Sequence, residues 1–408
     1  MNDVIKDRPW DEALEAALQR TMRPIEEAHG LPNRCYTDPD LYELEKREIF
    51  GASWCAVGFG KDIPNPGDVM PVDYLGTPLL LARRRDGSVK VLHNVCSHRG
   101  MILVEQPANI RSVIRCPYHS WCYNLNGELK ATPHVGGPGH NADPSIDRSL
   151  LGLKEARSAL WFDVVFVDLS GSAPAFESVI EPLARRWCDF DQSVLCHAGP
   201  DISFKFEIGC NWKLAVENYC ESYHLPWIHP GLNSYSRLED HENIVELGSF
   251  AGQLTHVYAP RLSEDHRCFP DFPHLSEAWR SRADYVALFP NVLLGIHRDH
   301  YFAIRLEPIS HDRTIEHVEI YVTDPKALGD DMADLRLKLK AMWQEVFTED
   351  LFVVEGMQRG RASPGFEGGV FSPAMDEATH AFHQWVAMRL SREAGDHTAF
   401  PVRLDEAV

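Results

Sequence analysis

Apolar residues recur at helical spacing near the start of the chain, where Leu14, Leu18 and Met22 form one row before Pro24. This predicts a surface helix over 11–22 that packs on a later domain. From about residue 47 to 168 the pattern shortens to β-branched and apolar runs divided by Gly, Pro and Asn. The runs 78–82 and 89–95 around Asp86-Gly87 predict a hairpin. A second alternating block, 284–322, predicts successive antiparallel strands at 285–289, 293–296, 301–306 and 316–322. Beyond it, 332–347 and 378–390 return to helical spacing and predict two long closing helices, whereas 133–144, rich in Gly, Pro and Asn, reads as a loop. The pattern gives an α+β chain: a helical segment at 1–46, a β-rich domain at 47–168, and a mixed domain with a large antiparallel sheet at 169–408.

Composition narrows the function classes. With 408 residues, 44% of them hydrophobic, the chain can bury a sizeable core. Its formal charge of -20 argues against a nucleic-acid partner and, besides keeping the protein soluble, favours cationic small molecules or basic proteins. The charged start MNDVIKDRPWDEA lacks the apolar core of a secretory signal, and no uncharged apolar run approaches the ~18 residues of a membrane span. A cytoplasmic location without membrane contact is expected. Ten cysteines scattered through a chain of this size point to reduced thiols or metal ligands before disulfides.

Two segments carry candidate chemistry. In VCSHRG, Cys96 and His98 stand one residue apart, and in CPYHSW, Cys116 and His119 stand two apart. Two loops that each offer a thiolate and an imidazole suit a [2Fe-2S] cluster with two Cys on one iron and two His on the other. A Cys₂His₂ zinc site uses the same residue types, but zinc modules usually pair Cys with Cys and His with His, and these loops are mixed. The second segment, NWKLAVENYCESYHLPWIHP, holds His224 and His229, with Pro226 expected to break or bend the helix between them. Two imidazoles and one carboxylate with open positions make a site for non-haem Fe(II).

The first string, with Arg99-Gly100, Tyr118, Trp121, Tyr123 and Asn126-Gly127, resembles the Rieske domains of ring-hydroxylating and related oxygenases. It departs from them at Ser120, where Gly is common, and at Cys122, where Thr is common. Cys122 has no partner beside His98, so the likeness is to the oxygenase type and not to the disulfide-bearing respiratory type. The second string, from Asn211-Trp212-Lys213 through Tyr223 to the histidines, resembles the catalytic-iron segment of the same family.

The resemblance to a Rieske non-haem iron oxygenase alpha subunit implies a helix-grip catalytic domain. It implies a [2Fe-2S] cluster on Cys96, His98, Cys116 and His119, and a mononuclear iron on His224, His229 and Asp350, with Glu349 and Glu355 as less favoured third ligands. Electrons are expected from NAD(P)H through a separate reductase, with or without a ferredoxin. Glu221 corresponds to the family's acid that links an iron-ligand His of one subunit to a cluster-ligand His of the next, which implies a homotrimer, with or without a small β subunit. Glu in place of the more usual Asp is similar to members acting on quaternary ammonium compounds such as carnitine and betaines. Oxidative demethylation or cleavage of an N-methylated cation is therefore the expected reaction, with hydroxylation of an aromatic acid as the alternative and a bare electron carrier as a distant third. Candidate pocket aromatics are Tyr258, Phe289, Tyr301 and Phe302. An aromatic acid would call instead on Arg298 or Arg305.

Overall fold

The computed structural model describes residues 10–263 and 267–392. Two compact units emerge, one from Ala52 to Phe176 and the other from the residues up to Gly51 together with those from Glu177 onward.

The first unit is built from β1 (Cys55–Phe59), β2 (Asp68–Tyr74), β3 (Thr77–Arg83), β4 (Val89–His93), β5 (Ala108–Asn109), β6 (Ile114–Arg115), β7 (Cys122–Tyr123), β8 (Leu129–Ala131), β9 (Glu155–Trp161) and β10 (Val164–Asp168). Seven strands form an antiparallel sheet in the order β1-β10-β9-β4-β3-β2-β5, and β6, β7 and β8 form a small second sheet. The hairpin expected around Asp86-Gly87 is β3–β4, with Leu80 opposite Leu92 and Gly87 at φ +85° in the left-handed region that a tight turn requires. One core cluster holds Leu80, Leu92, Trp121 and Tyr123 together with Cys96 and Cys116, so both candidate thiols are anchored in packed interior.

The second unit contains β11 (Cys196–His197), β12 (Phe204–Ile208), β13 (His241–Glu246), β14 (Phe250–Thr255), β15 (Ala283–Leu288), β16 (Val292–Ile296), β17 (His300–Ser310) and β18 (Arg313–Val322). They make one antiparallel sheet in the order β11-β18-β17-β16-β15-β14-β13, with β12 also on β18. Around it lie α1 (Glu12–Thr21), α2 (Arg34–Thr37), α3 (Pro39–Glu45), α4 (Phe176–Arg186), α5 (Trp212–Cys220), α6 (Leu225–Ile228), α7 (Ala333–Arg361) and α8 (Glu377–Leu390). Asp11 caps α1 by accepting the Leu14 N–H, and α1 packs on α8. The central strands β15 and β16 are buried along their whole length, and α5 packs on β14 and β15.

Two expectations change. The helix read as 332–347 runs without a break to Arg361, because the row Leu335, Leu339, Trp343 and Phe347 continues one turn at a time through Asp350 and Val354. Asp350 is therefore a mid-helix residue, well away from the positive end of the helix dipole. Pro226 does not break a helix between the two histidines. The chain turns earlier, at Glu221, whose backbone is extended (φ -120°, ψ 157°), and Pro226 lies in the first turn of α6, where its missing N–H costs nothing.

Candidate metal centres and substrate cavity

In the β-rich unit the two Cys/His loops share one backbone pattern. Cys96 N–H donates to Met101 O and Cys116 N–H to Trp121 O, both at 2.8 Å; Gly100 and Ser120 return N–H bonds to the carbonyls of Cys96 and Cys116, both at 3.0 Å. The returning residue has positive φ in each loop, +74° for Gly100 and +57° for Ser120. A glycine suits that position and a serine is strained there, so the sequence departure at Ser120 falls on the one backbone position where it is felt. Cys122 is buried and donates its thiol to Ser120 O at 3.2 Å.

The loops bring the two candidate histidines against each other and the two candidate thiols against each other. The His98 and His119 rings lie 4.7 Å apart, and His98 stacks on Trp121 at the same distance. Cys96 Sγ is 3.2 Å from the Tyr123 hydroxyl, which also receives the Ser97 N–H. Burial pushes the Cys96 thiol up, and the Cys116 thiol beside it adds to that. His119 Nδ1 is buried with no hydrogen-bond partner. Two crowded buried thiols and an orphaned imidazole nitrogen fit a group that takes thiolates and imidazoles as ligands. The [2Fe-2S] cluster is such a group.

The catalytic unit places a second set in one spot. Ligand atoms of His224, His229 and Asp350 all lie within 4.8 Å of one another. Asp350 Oδ1 is 3.0 Å from His229 Nε2 and 3.7 Å from His224 Nε2. The far nitrogen of each imidazole is tied to another carboxylate: His224 Nδ1 to Glu221 Oε1 at 2.6 Å and His229 Nδ1 to Glu349 Oε2 at 2.7 Å. Carboxylates behind both rings fix each Nδ1 as the N–H, leaving both Nε2 lone pairs free for a metal. Burial alone would lower the His229 pKa, but Asp350 and Glu349 outweigh it, so the imidazole is held above its usual value. Glu355, also considered as a ligand, instead accepts the Gly209 N–H at 3.1 Å.

Local sequence explains how these groups are positioned. Asn211 caps α5 by accepting the Lys213 N–H, while Trp212 and Lys213 both bond to buried Glu45, at 2.8 and 2.5 Å. Gln358 of α7 accepts the Asn211 N–H at 2.9 Å and donates to Tyr36 O at 3.0 Å. The start of α5 is thus locked to the same helix that carries Asp350. At its other end, Glu221 accepts the N–H groups of Tyr223 and His224, and Gln253 donates to the Glu221 carbonyl at 2.9 Å.

The three candidate iron ligands face a cavity of about 440 Å³, open mouth included. Its aromatic wall is Tyr219, Tyr285, Phe302, Trp343 and Phe347; Asn218, His241 and Gln253 supply the polar groups. Of the four aromatics expected from sequence, Phe302 alone lines it. Tyr301 points to the opposite face of β17 and packs on Tyr321, as strand alternation requires. Phe289 packs on Phe382 and Trp385 of α8, and Tyr258 lies behind the wall against His297. No Lys or Arg is among the described residues that line the cavity. Arg298 pairs with Asp271 and Arg305 with Glu307. Sequence reasoning missed Trp343 and Phe347, although their i, i+4 spacing and the acid at i+7 from Trp343 were in view.

Residues 53–142 match the family described as Rieske [2Fe-2S] domain, and residues 196–392 match the ring hydroxylating alpha subunit (catalytic domain). The chain is 28% identical to a chloroplastic choline monooxygenase of Arabidopsis thaliana over 88% of this chain and 82% of that one. It is 27% identical to the carnitine monooxygenase oxygenase subunit of Acinetobacter pittii, covering 84% and 87%. A crystal structure of a quaternary ammonium Rieske monooxygenase with an inhibitor shares the fold at a TM-score of 0.73 and 24% identity, covering 92% and 98%. Among the described residues no helix is long and apolar enough to cross a membrane. The chain belongs to the Rieske non-haem iron oxygenases, enzymes that carry a [2Fe-2S] cluster and a mononuclear iron and use O₂ with electrons passed on from NAD(P)H by a redox partner, and it is the oxygenase component.

Proposed function

We propose that the chain oxidises a small N-methylated or quaternary ammonium cation by hydroxylating a carbon next to nitrogen, so that the product falls apart to an aldehyde and an amine. The observation that carries this reading is the aromatic wall facing His224, His229 and Asp350 with no Lys or Arg beside it. A cation against an aromatic face gains roughly 0.5–2 kcal/mol per contact, so two or three contacts set it apart from a neutral isostere. An aromatic acid would leave its carboxylate unpaired here, since Arg298 and Arg305 are both engaged elsewhere. The named relatives act on choline and carnitine, in keeping with this choice.

In this reading Cys96, Cys116, His98 and His119 hold the cluster, and His224, His229 and Asp350 hold the iron. When bound, the cluster supplies single electrons and the iron supplies O₂ activation. The chain's own work is positional. Glu221 and Glu349 keep both imidazoles in one tautomer, the aromatic wall orients the cation, and the apolar lining of Leu225, Leu232 and Val346 excludes water. Glu221 also serves as the bridge to a cluster-ligand His of a neighbouring subunit in a homotrimer, with or without a β subunit. Its side chain keeps some exposure while holding His224, which leaves it reachable from outside. A cytoplasmic setting accords with ten cysteines none of which is in a disulfide among the described residues.

The test is substrate-stimulated O₂ uptake with a surrogate reductase, coupled to formaldehyde or hydroxylated product. Choline, carnitine and glycine betaine are compared with benzoate and salicylate. At least one quaternary amine should give coupled turnover. Coupled hydroxylation of the aromatic acids alone would replace this reading with ring hydroxylation.

A further inference from the structure

Behind the aromatic wall lies a buried polar chain that substrate binding does not require. Trp343 lines the cavity, and its indole Nε1–H donates to His300 Nε2 at 3.1 Å. His300 Nδ1 in turn meets Asp299 Oδ1 at 2.7 Å. Both bonds fix the tautomer: His300 carries its proton on Nδ1 and accepts at Nε2. Trp343 and His300 are fully buried, while the Asp299 side chain is 13% exposed, so the chain runs from the cavity wall toward solvent. On the other side of the indole, the Tyr258 ring lies parallel to it at 6.3 Å, and half-buried Tyr235 follows at 5.9 Å.

We propose that Trp343, His300 and Asp299 form a proton-coupled oxidation relay that drains oxidising equivalents from the cavity when O₂ is activated with no oxidisable substrate in place. The step balances. Trp343 gives one electron to a one-electron oxidant formed from O₂ or peroxide at the iron; its Nε1 proton moves to His300 Nε2, and the His300 Nδ1 proton moves to Asp299 Oδ1. The products are a neutral indole radical, a neutral imidazole in the other tautomer, and a protonated Asp299. One electron from a surface reductant such as ascorbate or a thiol, and return of the protons, restore the resting state. The radical settles on Trp343 and not on Tyr258, because the Tyr258 hydroxyl is buried with no acceptor for its proton. A purely structural role, satisfying a buried indole N–H, would need the first hydrogen bond only. It would not need a carboxylate aligned behind the imidazole.

The relay rests on the mononuclear-iron reading, so the test separates the two. Iron-loaded and iron-free holoprotein, both with an intact cluster, are mixed with hydrogen peroxide, freeze-quenched and read by electron paramagnetic resonance; iron content and coupled product formation are measured separately. Iron-loaded wild type should give a neutral indole radical that is missing from the iron-free sample and from Trp343→Phe. Asp299→Asn keeps an acceptor for the His300 N–H but cannot take the proton, and should lower the radical yield at least tenfold while iron content and folding stay normal. The variant should also lose O₂-uptake capacity several-fold sooner during substrate-free turnover. No indole radical in iron-loaded wild type, or equal yields in wild type and Asp299→Asn, would overturn the relay and leave the oxygenase assignment standing.

Discussion

At the residue scale, the candidate iron site gives two neighbouring acids different positions. Asp350 has an oxygen within reach of both imidazole Nε2 atoms, whereas Glu349, one residue earlier, turns to the back of His229. Asp350→Asn should therefore abolish stoichiometric iron binding, while Glu349→Gln should weaken it by roughly 10–100-fold, the usual effect of removing a carboxylate that orients a ligand histidine. Metal analysis after dialysis against graded chelator checks both; equal losses would mean that the two acids share the metal. The histidines and the four cluster candidates were legible because ligand types at fixed spacing survive in one dimension. The carboxylates behind the rings were not. Glu349 lies 120 residues from His229, and only the fold joins them.

At the element scale, strands and hairpins were readable where short apolar runs are bounded by turn residues, as in β15 to β18, but the far end of α7 was not. Thr348, Glu349 and Asp350 interrupt the apolar run and suggest a helix end, yet Asp350 occupies a buried-face position of the same helix one turn on from Val346 and Phe347. A functional acid in an apolar row breaks the pattern on which the reading depends. Pocket aromatics failed for a related reason: Tyr301 and Phe302 are adjacent, and only the register of β17 decides which one faces the cavity. Besides the Arg361–Glu217 ion pair, Gln358 ties α7 to the start of α5 and to α2, bonded to Asn211 N–H and Tyr36 O. Gln358→Ala leaves both backbone groups unpaired, at about 1–3 kcal/mol each. The denaturant midpoint should fall by an amount equivalent to at least ~1 kcal/mol, and iron affinity should drop with it, since Asp350 and the start of α5 are no longer tied together. Unchanged stability and metal binding in this variant would remove Gln358 from the account.

At the scale of the whole molecule, buried carboxyl groups set opposing limits on stability. Glu217 is buried, which alone would raise it, but His383, Arg361 and the Tyr36 hydroxyl outweigh burial and hold it below its usual value. Glu307 is held at about 2 mainly by His317, with Arg305 assisting against partial burial. For groups lowered in the folded state, the stabilisation is present above the unfolded pKa and is lost as pH falls, so both residues predict weakening below about pH 4.5. Glu316 on β18 works in the other direction. Burial first, and then the Asp350 charge, raise it to about 8. The folded protein therefore holds a proton that the unfolded chain has released between about pH 4.5 and 8, and stability falls across that window as pH rises. Iron-free protein should show a dome of melting temperature against pH, with its alkaline limb beginning below neutrality. Glu316→Gln, neutral at every pH, should flatten that limb and raise the melting temperature at pH 8 while leaving the acid limb in place. Bound iron should do part of the same work, because a cation at Asp350 offsets the charge that raises Glu316. The check is a set of melting curves from pH 4 to 9 on wild type and Glu316→Gln, with and without iron. An alkaline limb equally steep in the variant would place its origin in some group other than Glu316.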